Sequence, residues 1–231
     1  MKQALRNTYL GAIPSPVRSW IASLPGMQYL RQRFLFSDTR MHDLYYTREY
    51  YQNDVMQPAA EAAQYVADDF VENFHPESAI DVGCGTGEYM LALRDCGVVV
   101  HGVDLATAAL AVCRERKLDI QEFDLTRGGS LPWQAELVYS FEVAEHLPPS
   151  EAGKYVSTLC RAARRIIAIT AARPGQDGLG HQNCQPKTYW IKLFADQGFI
   201  HDADLTETLE RRYRALGLAP WLYLNLMIFR R

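Results

Sequence analysis

Cysteine is scarce and scattered in this chain: Cys84, Cys96, Cys113, Cys160 and Cys184 form an odd set with no CxxC pair. That excludes the disulfide framework of a small secreted domain and a thiolate zinc site. Long apolar runs are also missing. The stretch Trp221 to Phe229 falls far short of the roughly 20 residues a membrane span needs. Pro14, Pro16, Arg18 and Pro25 interrupt the one candidate for a leader. The expected setting is a reducing cytoplasm, without integral membrane association. Neither sign of charge dominates, with 24 basic against 27 acidic side chains, so the whole chain carries no electrostatic footprint for nucleic acid.

What charge asymmetry exists lies at the start. Lys2, Arg6, Arg18, Arg31, Arg33 and Arg40 face only Asp38 over the first forty residues. Such an arm can approach an anionic partner, or can simply be a solvated surface. The 231 residues suffice for one full core, so one main domain is expected over 58–231. Residues 1–57 are then an extension that covers a substrate or packs on the domain. Short helical pieces are expected at Ser19 to Tyr29 and Met27 to Phe36. Tyr45, Tyr46, Tyr50 and Tyr51 follow, and these aromatics suit either packing or a ligand wall.

From Pro58 to Phe74 the apolar spacing predicts a helix, with Pro58 in its first turn. Strand and helix then alternate. Strands are expected at Ser78–Val82, Val98–Val103, Leu118–Phe123, Leu137–Phe141 and Ile166–Thr170. Helices are expected at Glu88–Arg94, Ala106–Glu115, Ser150–Ala163 and Lys187–Gln197. This alternation predicts an α/β fold of Rossmann-like type, a mostly parallel sheet with helices on both faces. Its ligands sit at the carboxyl ends of the strands. A strand Phe199–Ala203, a helix Glu207–Leu216 and a closing strand Pro220–Phe229 complete the expectation.

The strongest local signal is Ala79-Ile-Asp-Val-Gly-Cys-Gly-Thr-Gly-Glu88, a strand running into a glycine-rich turn and a helix. Gly83, Gly85 and Gly87, with Cys84 and Thr86 between them, permit a tight turn and close approach of a ligand. A dinucleotide fingerprint would place its third glycine at position 88, where this chain has Glu88, and no Gly-Lys-Ser/Thr ending marks a P-loop. Asp104, in Gly102-Val-Asp104-Leu105, lies at the distance expected of a carboxylate that takes a ribose hydroxyl pair, and can also cap the following helix. Asp124 can accept from an exocyclic amine or act as a turn carboxylate. Leu125 and Leu105 offer apolar surface to a ring.

With these motifs and Tyr139-Ser-Phe-Glu-Val-Ala-Glu-His-Leu147, the chain over about 58–231 resembles the class I, seven-stranded S-adenosylmethionine-dependent methyltransferases. The resemblance implies one antiparallel strand near the C-terminus. It also implies that Asp81 and the backbone around Gly83 face the methionine part of the cofactor. Asp104 would face the ribose, Asp124 and Leu125 the adenine, and Phe141 would lie beneath the cofactor. The cationic sulfonium and ammonium suit a pocket with Asp81 and Asp104.

For chemistry, His181 in the loop after the fifth expected strand is the leading base, with His146 second. Glu142, Asn183 and Tyr189, with the tyrosines 45, 46 and 50, are the candidate acceptor contacts. No metal ligand is assigned. Glu142, Glu145, His146 and the distant His181 nevertheless resemble the metal site of small-RNA ribose 2′-O-methyltransferases. The function expected is methyl transfer from S-adenosylmethionine to a small-molecule or sugar acceptor, at a hydroxyl oxygen. An N-methyltransferase, the metal-dependent RNA enzyme and a non-catalytic cofactor-binding protein stand as alternatives.

Overall fold

The computed structural model describes Asp43 and residues 46–231. Tyr45 and the helices expected at 19–29 and 27–36 lie outside the described residues. Thr47 caps a helical turn, Arg48–Tyr50, by accepting from the Tyr50 amide. The turn runs through a π-helical segment, Tyr51–Val55, into α1, Met56–Phe74. Ala62, Ala63, Val66, Phe70 and Phe74 turn the buried face of α1 toward the sheet. The successive elements are β1 (Ser78–Val82), α2 (Glu88–Asp95), β2 (Val99–Asp104), α3 (Thr107–Glu115), β3 (Asp119–Glu122) and β4 (Ala135–Phe141). They continue as α4 (Ala152–Ala162), β5 (Ala163–Thr170), α5 (Lys187–Ala195), β6 (Ile200–His201), α6 (Ala203–Ala215), α7 (Pro220–Asn225) and β7 (Met227–Arg230).

Seven strands form one sheet in the order β3-β2-β1-β4-β5-β7-β6. The pairs from β3 to β5 are parallel, and β7 runs antiparallel to both its neighbours. The predicted α/β class and the single antiparallel strand are both present. Central strands are buried on both faces, so alternate residues feed two cores. Ile80, Val138 and Ile167 pack with Tyr155, Trp190 and Phe194 from α4 and α5. Ala79, Leu137, Tyr139 and Ala168 pack with Phe70, Tyr213 and Leu222 from α1, α6 and α7.

The end of the chain departs from expectation. Pro220–Asn225 is a helix, not the first part of a strand, and only Met227–Arg230 joins the sheet. Proline is as well placed at the first helical position as at a strand start. Helical spacing turns both Leu222 and Asn225 fully inward. The strand expected at Phe199–Ala203 shrinks to Ile200–His201, because Asp202 accepts from the Leu205 amide and starts α6 at Ala203. Ser150 belongs to a 3-10 turn, Pro149–Glu151, ahead of α4.

Candidate functional site

The carboxyl ends of β1, β2, β4 and β5 carry the site. At the end of β1, Gly83, Gly85 and Gly87 all have positive φ, at 81°, 51° and 81°. Only glycine takes those values without strain. The amides of Gly83 and Cys84 donate to the Val103 carbonyl at 2.8 and 3.0 Å, which ties the turn to β2. The structure adds packing to the reasons for two of the glycines. A Cβ at Gly83 would overlap Val143 Cγ2, and one at Gly87 would overlap Leu118 Cδ1, so a side chain at either would have to displace these neighbours. At Gly85 the Cβ direction meets the Tyr51 ring, with Cε1 at 3.6 Å.

Asp104 bridges the turn and α3. Its Oδ2 accepts from the Gly85 amide and its Oδ1 from the Ala106 amide, each at 2.8 Å. Each oxygen keeps a second lone pair, so these two bonds and hydroxyl binding are compatible. Asp81 shares its face of the sheet with its register partner Tyr139 and is 3% exposed. The buried Tyr139 hydroxyl stands beside it without a well-formed hydrogen bond. Burial therefore pushes the Asp81 carboxyl well above the usual range; the Tyr139 hydroxyl partly opposes this and Asp104 adds to it. The Thr86 hydroxyl, in the same turn, is likewise buried and unpartnered. Both are buried polar groups at the carboxyl end of β1.

Asp124 sits in a turn of its own making: Oδ1 accepts from the Thr126 amide and hydroxyl at 3.0 and 2.6 Å, and Arg127 lies 3.1 Å from Oδ2. Leu125 turns into the core, while Leu105 stays partly exposed. Phe141 packs edge-on against Tyr89, with ring centroids 5.0 Å apart.

Beyond β4, a 3-10 turn, Ala144–His146, meets the loop after β5. The Glu145 carbonyl accepts from the amides of Gln182 and Asn183 at 2.8 and 3.0 Å, and the His146 carbonyl accepts from Gln182 Nε2 at 2.7 Å. These bonds bring the His146 and His181 rings to a centroid distance of 5.0 Å. Tyr46 hydroxyl reaches His146 Nδ1 at 3.0 Å, and Tyr50 and Tyr51 pack around Tyr46 at 5.4 and 6.4 Å. Burial is the main cause raising the Tyr46 and Tyr51 hydroxyls above the usual phenol range. Asn183 is buried, with Oδ1 accepting from Gln185, and Tyr189 packs edge-on against Trp190.

Glu145 is fully buried and neither carboxylate oxygen has a hydrogen-bond partner. Burial, then the nearby Glu142 charge, raises its carboxyl well above the ordinary range. Its Oε1 lies 4.0 Å from His181 Nε2. One ligand atom each from Glu145, His146 and His181 can be chosen so that all lie within 4.8 Å of one another, the spacing of a divalent-cation site. Glu142 is not among them, since Gln176 and Asn225 hold its carboxylate. Sequence reasoning missed Gln176 and Asn225, and set Tyr51 among the cluster without a site role. Asn225 left one usable signal, a lone amide within the apolar run Trp221 to Phe229.

Residues 79–165 match the family model described as a methyltransferase domain. A ubiquinone biosynthesis O-methyltransferase of Pseudomonas paraeruginosa is 30% identical over 157 residues, covering 63% of this chain and 62% of the relative. The chain thus matches less than two thirds of that relative's length. Among solved structures, an amino pentose methyltransferase from Micromonospora echinaspora superposes with a TM-score of 0.59 at 17% identity, covering 79% of this chain and 95% of that one. Magnesium protoporphyrin IX methyltransferase from Synechocystis gives 0.55 at 19%, covering 81% and 90%. At such identities these two likenesses concern the fold.

Proposed function

On a chain that carries a class I S-adenosylmethionine-dependent methyltransferase domain, we propose transfer of the cofactor's methyl group to a hydroxyl oxygen of a small-molecule or sugar acceptor. Asp81 supports the donor side, because a buried carboxylate is costly unless a cation completes it, and burial outweighs the Tyr139 hydroxyl beside it. Asp104 would take the ribose hydroxyls, and Gly83, Cys84, Gly85, Thr86 and Gly87 would line the methionine part. Leu105, Asp124, Leu125 and Phe141 would bound the adenine and the floor.

The observation that carries the oxygen reading is the setting of His181. Its Nδ1 lies 3.1 Å from the Gln176 carbonyl, which can only accept, and 3.6 Å from Cys184 Sγ; the shorter contact, with the carbonyl, assigns the proton to Nδ1 and leaves Nε2 its lone pair. The bound cofactor supplies an activated methyl. The chain must orient the acceptor and take up its proton. His181 Nε2 is the proposed base, and Glu145 Oε1 stands 4.0 Å from it. His146, with Tyr46 on its Nδ1, is the second base. Tyr46 and Tyr50, with Glu142, Asn183 and Tyr189, are the proposed acceptor surroundings. The ubiquinone relative is an O-methyltransferase, which supports the same class.

The test is formation of S-adenosylhomocysteine from the full chain with panels of phenols, sugars and amines. Turnover confined to amines would replace this reading by N-methylation. Absence of turnover beside tight cofactor binding would favour a binding protein.

A second reading concerns the cluster of Glu145, His146 and His181. Both Glu145 oxygens are buried without partners and the imidazoles stand beside them, a set able to hold a divalent cation that positions an acceptor hydroxyl. Activity surviving thorough chelation removes it, and the RNA alternative with it. No helix among the described residues is long and apolar enough to cross a membrane. Action in the cytoplasm is part of the proposal.

A further inference from the structure

Glu142, just past β4, has φ of +52°, a backbone state that a non-glycine residue keeps only where its surroundings hold it. Part of that hold comes from β5, since the Glu142 amide donates to Thr170 Oγ1 at 2.9 Å. The rest comes from its side chain. Oε1 accepts from Asn225 Nδ2 and Oε2 from Gln176 Nε2, both at 2.8 Å, while Asn225 Nδ2 also donates to Gln176 Oε1 at 3.0 Å. Three segments far apart in sequence thus close a ring of hydrogen bonds. Its deepest member, Asn225 at the end of α7, is fully buried.

The ring ends on His181. The backbone carbonyl of Gln176, the residue whose side chain is clamped, lies 3.1 Å from His181 Nδ1. Gly178 makes room on the other edge of the imidazole, where a Cβ would overlap Nε2. The ring is therefore held by a carbonyl at one nitrogen and by close backbone at the other.

We propose that Asn225 is a positioning residue: through the Gln176 side chain it seats the Gln176 carbonyl that holds His181 in the Nδ1–H form, leaving Nε2 basic. What the basic Nε2 then does rests on the function proposed above; the seating itself does not. An apolar side chain at 225 would fill the volume but strand the Glu142 carboxylate and the Gln176 amide, whose only other mutual bond is the one between them. Gln176 would then be free to turn, and its carbonyl with it.

The experiment is long-range proton–nitrogen correlation on the full chain labelled with 15N-histidine. It is recorded at about pH 8, where an ordinary imidazole is neutral, and His181 is assigned from the signal lost in His181→Gln. Wild type should show a protonated Nδ1 and a bare Nε2 at His181. Asn225→Leu should mix the two tautomers. Asn225→Asp fills the same space but sets an acceptor against Glu142 Oε1 and Gln176 Oε1, and should mix the tautomers likewise, which a merely space-filling role for Asn225 does not predict. If Asn225→Leu does not fold, Gln176→Ala removes the clamp while keeping the carbonyl, and should mix the tautomers likewise. A bare Nδ1 in wild type, or an unmixed Nδ1–H signal in the folded single variants, overturns the proposal.

Calorimetric titration with S-adenosylhomocysteine separates the two levels. Affinity in the folded variants should stay within about twofold of wild type, and a larger loss would mean that Asn225 acts on the donor pocket instead. Wild type that does not bind S-adenosylhomocysteine at all sinks the methyltransferase reading while leaving the tautomer result to be judged on its own.

Discussion

The Gly85 amide donates to Asp104 Oδ2 at 2.8 Å, joining the glycine-rich turn after β1 to the end of β2. The other Asp104 oxygen accepts from the Ala106 amide, just ahead of α3. One side chain therefore shapes the turn and stands ready for a hydroxyl ligand.

Asp104→Ala should accordingly cost twice. Two amides lose a charged acceptor, about 1–3 kcal/mol of stability each where they stay dry. Affinity for S-adenosylhomocysteine should fall by about tenfold or more. Denaturant unfolding and calorimetry measure the two separately, and a folded variant with unchanged affinity would remove Asp104 from the cofactor site.

Asp81 behaves oppositely. Its carboxyl is raised by burial in the cofactor-free protein, so both folded and unfolded chains hold the proton at low pH. As pH climbs from the unfolded value through the higher folded one, stability is lost. Asp81→Asn removes that loss. Its stability advantage over wild type should be small near pH 4 and larger near pH 8, while cofactor binding weakens. Equal unfolding curves for the two proteins at both pH values would contradict an Asp81 carboxyl raised by burial.

His181→Ala should lower turnover of a native hydroxyl acceptor by about 10² to 10⁴, with S-adenosylhomocysteine affinity nearly unchanged. Initial rates against acceptor concentration decide the matter. A wild-type kcat would take His181 out of the catalytic set.

Gly83→Ala should destabilise the chain by about 1–3 kcal/mol, since the new methyl overlaps Val143 and φ is +81°. Adding Val143→Ala should recover the steric share and leave the backbone share. A double-mutant cycle in denaturant reads both, and full recovery would show that φ costs nothing here.

Much of the fold could be read locally. The span Ser78–Val82 and the start of α2 at Glu88 follow from an apolar run, a glycine-rich turn and a helix-forming stretch, each spelled out within a few residues. The same holds for the expected ends of α1 and β4, at Phe74 and Phe141. The run Trp221 to Phe229 did not yield, because proline suits either start and apolar residues throughout obscure the period. Its helix emerges only where Leu222 and Asn225 both find buried partners.

The site divides along the same line. By itself the sequence determined the glycine turn and the carboxylates that follow β1 and β2, because strand, turn and ligand group are neighbours in the chain. Tertiary structure alone decided that Tyr51 faces Gly85, that His146 meets His181, and that Glu142 is drawn to Asn225 rather than to the imidazoles. Those choices depend on the register of β4 with β5, on the docking of α7, and on which buried polar groups can satisfy one another. They are long-range competitions for hydrogen bonds, and no local pattern of residue types records their outcome.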